Sequence, residues 1–573
     1  MTPHPINPFN HDIPAPETPM VNVNFNGSWI QIPKGTNVVE VTRQQDSFLP
    51  HYCYHPKLSI SGNCRMCLFE MGTPRMDAER KPVIGADGNP EIAWIPRPQI
   101  GCATTVTEGM GIRTESPMAV ECRKGVMEFL LINHPLDCPI CDQAGECKLQ
   151  EFSTEYGNGY SRFVENKVKK PKNVDLGKNI VLDDERCILC SRCVRFAKEV
   201  VQDDVLGFVQ RGSLNTLTAH PGKRFDNPYS LNTVDICPVG ALTSKDFRFK
   251  MRVWFLKETK SISTWDGTGS NIIIGSRENK IYRITPRENE EVNSCWMPDE
   301  ARFEFHACQD EKRFQQPLAK VKDDFFPSSW TDILPRVAQE LTKYKGSEIA
   351  ILASAKQTNE ELFLLRSLAH TLGVTLMDIK PRVQEGDRFL ISQDGNPNSQ
   401  GAELLGVSQK GKKLPEIAEG IDSGKIKALI SITEDAVDCG INEAALKKLS
   451  FHVHIGTQPN KANQNAAFIL ASAGFGETRG SMINVKGRLQ RLNKAIACPG
   501  HAQEDWEILR DLKSAVGGGN GLHTIEDVFR AMSQTVPSLA GLSLSKIGDL
   551  GLQLNGTVSI LSPREIKPVS VTA

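Results

Sequence analysis

The chain has 573 residues, 67 basic against 68 acidic side chains for a net charge of -1, and 39% hydrophobic residues. That length exceeds what one hydrophobic core supports and implies about three to five compact units, while the balanced charge argues against a nucleic-acid-binding surface. No apolar run reaches the roughly 18 residues of a membrane span, and the polar, proline-rich start, Met1 to Pro19, lacks the apolar region of a signal peptide.

In chain order, a tail over 1–20 precedes Val21, Val23 and Phe25, which alternate with asparagines. Asn26-Gly27 then offers a two-residue hairpin turn, and Ile30 and Ile32 resume the alternation. Thr36 or Asn37 can cap a short helix through Val38 and Val41. This strand-strand-helix-loop order resembles a plant-type ferredoxin. The stretch from Gly72 to Pro98 reads as an exposed excursion. From Cys122 to Leu131, Val126, Phe129 and Leu130 have helical apolar spacing. A basic linker around Lys167 to Lys178 precedes the last cysteine group, and after Trp330 strand and helix signals alternate. The clearest are Ile349 to Ala353, then a helix with a Thr358/Glu361 capping box ending at Gly373. Ala428 to Ile432 and Phe451 to Ile455 complete the expectation of an α/β domain with a mainly parallel sheet.

Sixteen cysteines without a secretory signal point to metal ligation rather than disulfides. Only Cys295, Cys308, Cys439 and Cys498 lie after Cys237. The first group is Cys53, Cys64, Cys67 and Cys102; its close pair can put two thiolates on one iron, as in plant-type [2Fe-2S] sites, and zinc stays open on spacing alone. The second is His134, Cys138, Cys141 and Cys147, for which a zinc site of three cysteines and one histidine and a cluster are about equally compatible. The third, Cys187, Cys190 and Cys193 followed by Cys237-Pro238, has the spacing of a [4Fe-4S] cube. Cys122 is left over and reads as a small buried hydrophobe.

At these residues the chain resembles the large iron-sulfur subunit of respiratory complex I, called the G subunit in bacteria. Arg123 to Cys147, Glu185 to Phe196 and Asp235 to Phe249 carry the likeness. The resemblance implies one [2Fe-2S] and two [4Fe-4S] clusters on the three ligand sets, the second with histidine ligation. It also implies electrons arriving from a flavoprotein that oxidises NADH and leaving toward a two-cluster ferredoxin-like subunit and quinone. The histidine-ligated cluster is then the candidate for any side branch. The setting would be the peripheral arm of the complex, at the cytoplasmic face of a prokaryotic inner membrane. Some family members carry a fourth cubane, but the aligned positions here are Ser263, Asp266, Ser270 and Pro298, so that cluster is expected to be absent.

The second half resembles molybdopterin oxidoreductases around Gly476 to Leu492. Cys439 stands in a different context, at the start of a predicted helix, so a fold without its cofactor is expected. The whole reads as α+β followed by α/β. A ferredoxin-like [2Fe-2S] domain spans 21–103, and a [4Fe-4S] segment with one histidine and three cysteine ligands spans 104–165. A [4Fe-4S] ferredoxin-like domain over 166–250 comes next, then a ligand-less fourth-cluster segment over 251–305 and a molybdopterin-oxidoreductase-like domain over 306–573. No flavin or dinucleotide fingerprint occurs. The glycines around Gly517 to Gly519 lack the Lys-Ser/Thr of a phosphate loop. His452 and His454 fall on one face of an apolar strand and read as packed or solvated. The competing classes are a molybdenum-dependent formate dehydrogenase, an iron hydrogenase, which needs more cysteine motifs than remain, and a zinc-stabilised scaffold.

Overall fold

The structure is a computed structural model that describes residues 18–517 and 521–554. Residues 1–17 of the tail, and Gly518 and Gly519 of the glycine-rich loop, lie outside the described residues. The chain divides into two compact units, Met1–Phe255 and Leu256–Ala573.

The first unit opens with strands β1 (Met20–Phe25) and β2 (Ser28–Pro33), joined at Asn26 and Gly27. Both turn residues have positive φ, 50° and 93°, as the tight hairpin turn requires. Helix α1 (Val38–Gln44) is capped by Asn37 rather than Thr36, its side chain accepting from the Glu40 amide at 3.1 Å. Strands β3 (Leu68–Pro74), β4 (Ile92–Trp94), β5 (Gln99–Ile100) and β6 (Gly111–Arg113) complete a sheet of order β2-β1-β6-β3-β4, with β5 also on β3. The 72–98 stretch is therefore partly sheet: Gly72 pairs with Trp94, and Arg113 stacks on the Trp94 ring at 3.7 Å. Its composition reads as loop because the paired part is three residues long on the returning side.

Helix α2 (Pro117–Leu131) buries Ala119, Arg123 and Met127, at four-residue intervals. The expected face through Phe129 is not the buried one; Phe129 is 77% exposed. A charged residue displaces it inward because the Thr114 carbonyl and Glu115 accept from the Arg123 guanidinium. Helix α3 (Lys148–Tyr156) follows the second cysteine group. The basic stretch after it is tied down rather than a free linker. Lys167 donates to the Leu131 and Ile132 carbonyls, Lys172 pairs with Glu185 at 3.0 Å, and strand β7 (Val174–Asp175) joins β8 (Ile180–Leu182). Helix α4 (Arg192–Arg195) runs into a π-helical turn over Phe196–Val200. A hairpin, β9 (Leu206–Val209) and β10 (Thr216–Ala219), and strand β11 (Leu242–Ser244) on β8 end the unit.

The second unit begins with an antiparallel meander, β12 (Lys257–Ile262), β13 (Asn271–Arg277) and β14 (Lys280–Pro286). A seven-stranded sheet follows, built from β15 (Leu318–Val321), β16 (Asp324–Pro327), β17 (Ile349–Ala353), β18 (Leu376–Ile379), β19 (Ala428–Ile432), β20 (Phe451–Gly456) and β21 (Phe468–Ala471), in the order β16-β15-β21-β20-β19-β17-β18. It is parallel from β18 to β21 and antiparallel at the β15-β16 edge. The helix Asn359–Leu372 has the capping box expected at Thr358 and Glu361, and Gly373 ends it at φ 72°. Strand order reverses between β17 and β19, the place where open α/β sheets form their ligand crevice. Here Ser354 at the end of β17 donates to Glu434 beyond β19 at 2.6 Å, and Arg382 pairs with the same carboxylate.

Candidate metal centres

All three ligand sets lie in the first unit. Cys53 sits in the loop after α1, Cys64 and Cys67 in the turns leading into β3, and Cys102 in a short 3-10 turn after β5. All four are buried. Their sulfurs come within hydrogen-bonding reach of one another in the chain Cys64, Cys53, Cys102, Cys67. The Cys102 thiol first, then Cys64, holds Cys53 far below the usual thiol range; Cys102 likewise lowers Cys67. Cys64 and Cys102 are pushed up in return. Backbone amides of Tyr52 and Cys102 donate to the Cys64 and Cys67 sulfurs, each at 3.5 Å. Gly101 permits this approach: a Cβ there would stand 2.9 Å from the Cys67 carbonyl oxygen.

His134 closes the loop after α2, Cys138 and Cys141 flank a single 3-10 turn, and Cys147 precedes α3. All four line one cavity of about 900 Å³. Burial first, then the cations Lys167 and Arg186, lower the His134 imidazole to about 4, so it is a neutral donor near pH 7. Among the described residues no protein group hydrogen-bonds its ring. Gly240 passes so close to this set that a Cβ would lie 2.2 Å from the Cys141 sulfur.

Cys187, Cys190 and Cys193 wind around a loop in which Leu189 and Ser191 take left-handed φ of 56° and 61°; Cys237 follows the short helix Asn232–Asp235. All four line one small cavity with Phe208, Leu217 and Leu242 among its apolar walls. Burial, then the neighbouring Cys237 thiol, pushes Cys190 up to about 11. Arg192 lines the same cavity, and its Nε is a buried donor with no protein partner. An orphaned donor beside four thiols fits an anionic, sulfide-bearing occupant better than an apolar void.

The segments that carry the third set pack against those of both other sets. Toward the first, Asn63 donates to the Leu189 carbonyl at 2.9 Å and Ser61 meets Ser191 at 3.1 Å. Toward the second, the Lys148 amide donates to the Pro238 carbonyl at 3.1 Å, and Arg186 reaches Asp137 at 3.0 Å. The arginines threaded through 185–196 do not stand out in the sequence. Their interleaving with the cysteine motif is the available signal.

In the second unit, Ser263 donates to Glu304 at 3.0 Å, and Asp266 accepts from the Thr268 and Ser392 amides. Both His452 and His454 are buried, and both reach the Ser431 hydroxyl, at 2.8 and 2.9 Å. Cys439 is a buried thiol raised to about 12 by burial, but it lies in a turn, and the helix begins only at Glu443. Among the described residues no helix is long and apolar enough to cross a membrane.

This succession of a ferredoxin-like sheet, cysteine-lined pockets and a doubly wound α/β unit defines an iron-sulfur protein of modular build. Family models match along it: a 2Fe-2S iron-sulfur cluster binding domain over 18–117, the NADH-ubiquinone oxidoreductase-G iron-sulfur binding region over 123–162, and the ferredoxin-like domain of NADH-quinone oxidoreductase subunit 3 over 177–243. An NDSU1/NuoG-like 4Fe-4S domain matches 256–306, and molybdopterin oxidoreductase matches 391–515. The G subunit of NADH-quinone oxidoreductase from Rickettsia conorii is 34% identical over 87% of this chain and 73% of its own length. That of Rickettsia felis is 31% identical over 89% of each chain. The mitochondrial NADH-ubiquinone oxidoreductase 78 kDa subunit of Neurospora crassa is 30% identical over 91% of this chain and 84% of its own. The chain belongs to the family of G subunits of NADH-quinone oxidoreductase. It is an electron-transfer subunit of that oxidoreductase complex, with domains for 2Fe-2S and 4Fe-4S clusters.

Proposed function

We propose that Cys53, Cys64, Cys67 and Cys102 hold a [2Fe-2S] cluster, that His134, Cys138, Cys141 and Cys147 hold a [4Fe-4S] cluster, and that Cys187, Cys190, Cys193 and Cys237 hold a second [4Fe-4S] cluster. What supports this most is that the thiols of the first set lie within hydrogen-bonding reach of one another in a chain, and that the four residues of each other set line a single cavity. Clusters of these kinds supply one-electron carriers. The chain's part is to bury them, aim amide donors at their sulfurs and replace one thiolate by neutral His134, which raises the potential of the site it serves.

No fourth cubane is held at Ser263, Asp266, Ser270 and Pro298, where Ser263 donates to Glu304 and Asp266 accepts from backbone amides instead. The α/β unit carries no molybdopterin, its switch-point crevice being tied by Ser354, Glu434 and Arg382. Electrons arrive from a flavoprotein subunit that oxidises NADH and leave for a two-cluster ferredoxin-like subunit, within the peripheral arm at the cytoplasmic face of a prokaryotic membrane.

The test is iron, acid-labile sulfide, zinc and molybdenum content of anaerobically purified protein, with low-temperature electron paramagnetic resonance after reduction. The reading requires about ten irons per chain, one [2Fe-2S] and two [4Fe-4S] signals, and no molybdenum. Fourteen irons or stoichiometric molybdenum overturns the account of the second unit, and zinc in place of iron overturns the ligand assignment.

A further inference from the structure

Arg192 and Arg195 both project from α4 into the junction between the first and third ligand sets. Arg195 donates to the Cys53, Ser59 and Cys190 carbonyls and to the Ser191 hydroxyl. Arg192 donates to the Tyr54 carbonyl and to the Ile236 carbonyl at 3.1 Å. Every acceptor is a carbonyl or a hydroxyl; among the described residues no carboxylate stands in ion-pair range of either guanidinium. The third arginine of the segment is treated differently. Arg186 meets Asp183 at 2.8 Å and Asp137 at 3.0 Å, and Arg248 shares Asp183.

A buried cation without a counter-charge is costly and persists where an anion compensates it. Nearby anionic groups are the ligand thiolates: Cys190, Cys237 and Cys53 all act on the Arg192 charge. Four thiolates outweigh the positive charge of either kind of iron-sulfur core, so loaded first and third sets are net negative. Reduction makes each more so.

We propose that Arg192 and Arg195 are the counter-cations of the first and third clusters, positioning residues that stabilise the reduced state of both and so set their potentials as a pair. The inference rests on the ligand assignment above. Neither arginine exchanges a proton or forms a bond; each supplies fixed charge at the boundary that an electron crosses. The second set, whose neighbouring Arg186 is already neutralised by Asp137 and Asp183, lies outside this pairing.

The test is potentiometric titration, followed by electron paramagnetic resonance, of the whole complex carrying Arg192→Gln, Arg195→Gln, Arg192→Lys or Arg195→Lys. Each glutamine variant is expected to lower the reduced-to-oxidised ratio of the first and third clusters about tenfold at the wild-type midpoint, a shift of about 59 mV for a one-electron couple. The histidine-ligated cluster stays at its wild-type midpoint, and the lysine variants stay near wild type throughout. Full iron content with first and third midpoints unmoved in the glutamine variants overturns the inference. So do lysine variants that shift as far as glutamine, because the guanidinium fork rather than its charge would then be what matters. If a glutamine variant loses iron, retention with lysine supports the charge assignment and loss with lysine overturns it. Wild-type protein lacking the clusters would instead refute the ligand assignment itself.

Discussion

Gly240→Ala isolates the contact between the third segment and the second ligand set. Gly240 has no left-handed φ to protect, so the added methyl acts through space alone. Its Cβ would lie 2.2 Å from the Cys141 sulfur and 3.1 Å from Gln143 Cβ, where ordinary contact begins at 3.4 Å. The sulfur must therefore retreat by more than an ångström, against a tolerance of about 0.2 Å for metal-ligand distances. Overpacking of this kind costs about 1 to 3 kcal/mol when the neighbour can yield, and a ligand can yield only by leaving its metal. The expected outcome is loss of the second cluster's iron and its resonance signal, with the first and third retained. Gly125→Ala is the matched control. Nothing stands within 4 Å of its Cβ inside α2, so helix propensity alone acts and stability rises by about 0.5 to 1 kcal/mol. A Gly240→Ala protein with full iron and an unaltered second signal would refute the assignment of Cys141.

Thr358→Ala removes the acceptor for the Glu361 amide at 3.3 Å and should cost about 1 to 2 kcal/mol in denaturant unfolding of the whole chain. Burial raises Glu360 to about 7 from 4.5, so the folded state keeps its proton longer than the unfolded state, and stability falls as pH rises through that window. Glu360→Gln keeps partners for the Ser481 amide and hydroxyl, both at 2.8 Å; its stability relative to wild type should improve from about pH 5 to about pH 8, and a pH-independent difference would refute the assignment. Cys122→Ser should leave iron content and all cluster signals unchanged, because Cys122 stands on α2 outside every ligand set.

The hairpin at Asn26-Gly27, the capping box at Thr358 and the core strands of the parallel sheet are legible in the sequence because each is dictated by residues close along the chain. The ligand sets are legible for a related reason, since short spacings dominate two of them. What the sequence conceals depends on distant partners. Arg123 looks like a solvent-facing helix residue until the Thr114 carbonyl is brought beside it, and Phe129 looks like core until that face turns outward. Lys167 and Lys172 read as linker until carbonyls and Glu185 supply their acceptors. The contacts of the third set's segments with both other sets, through Asn63 and Leu189 on one side and Lys148 and Pro238 on the other, likewise cannot be read from spacing.

The span from Cys53 to Cys102, and that from Cys193 to Cys237, has a further consequence. With the ligands assigned as proposed, each cluster ties off a loop of several dozen residues, and in the chain-entropy picture of a cross-link such a closure is worth about 4 kcal/mol. Metal loading is then a folding event as much as an electronic one. A cell short of iron or sulfide would hold this chain with its first half open, exposed to proteases before it could ever be idle as an electron carrier.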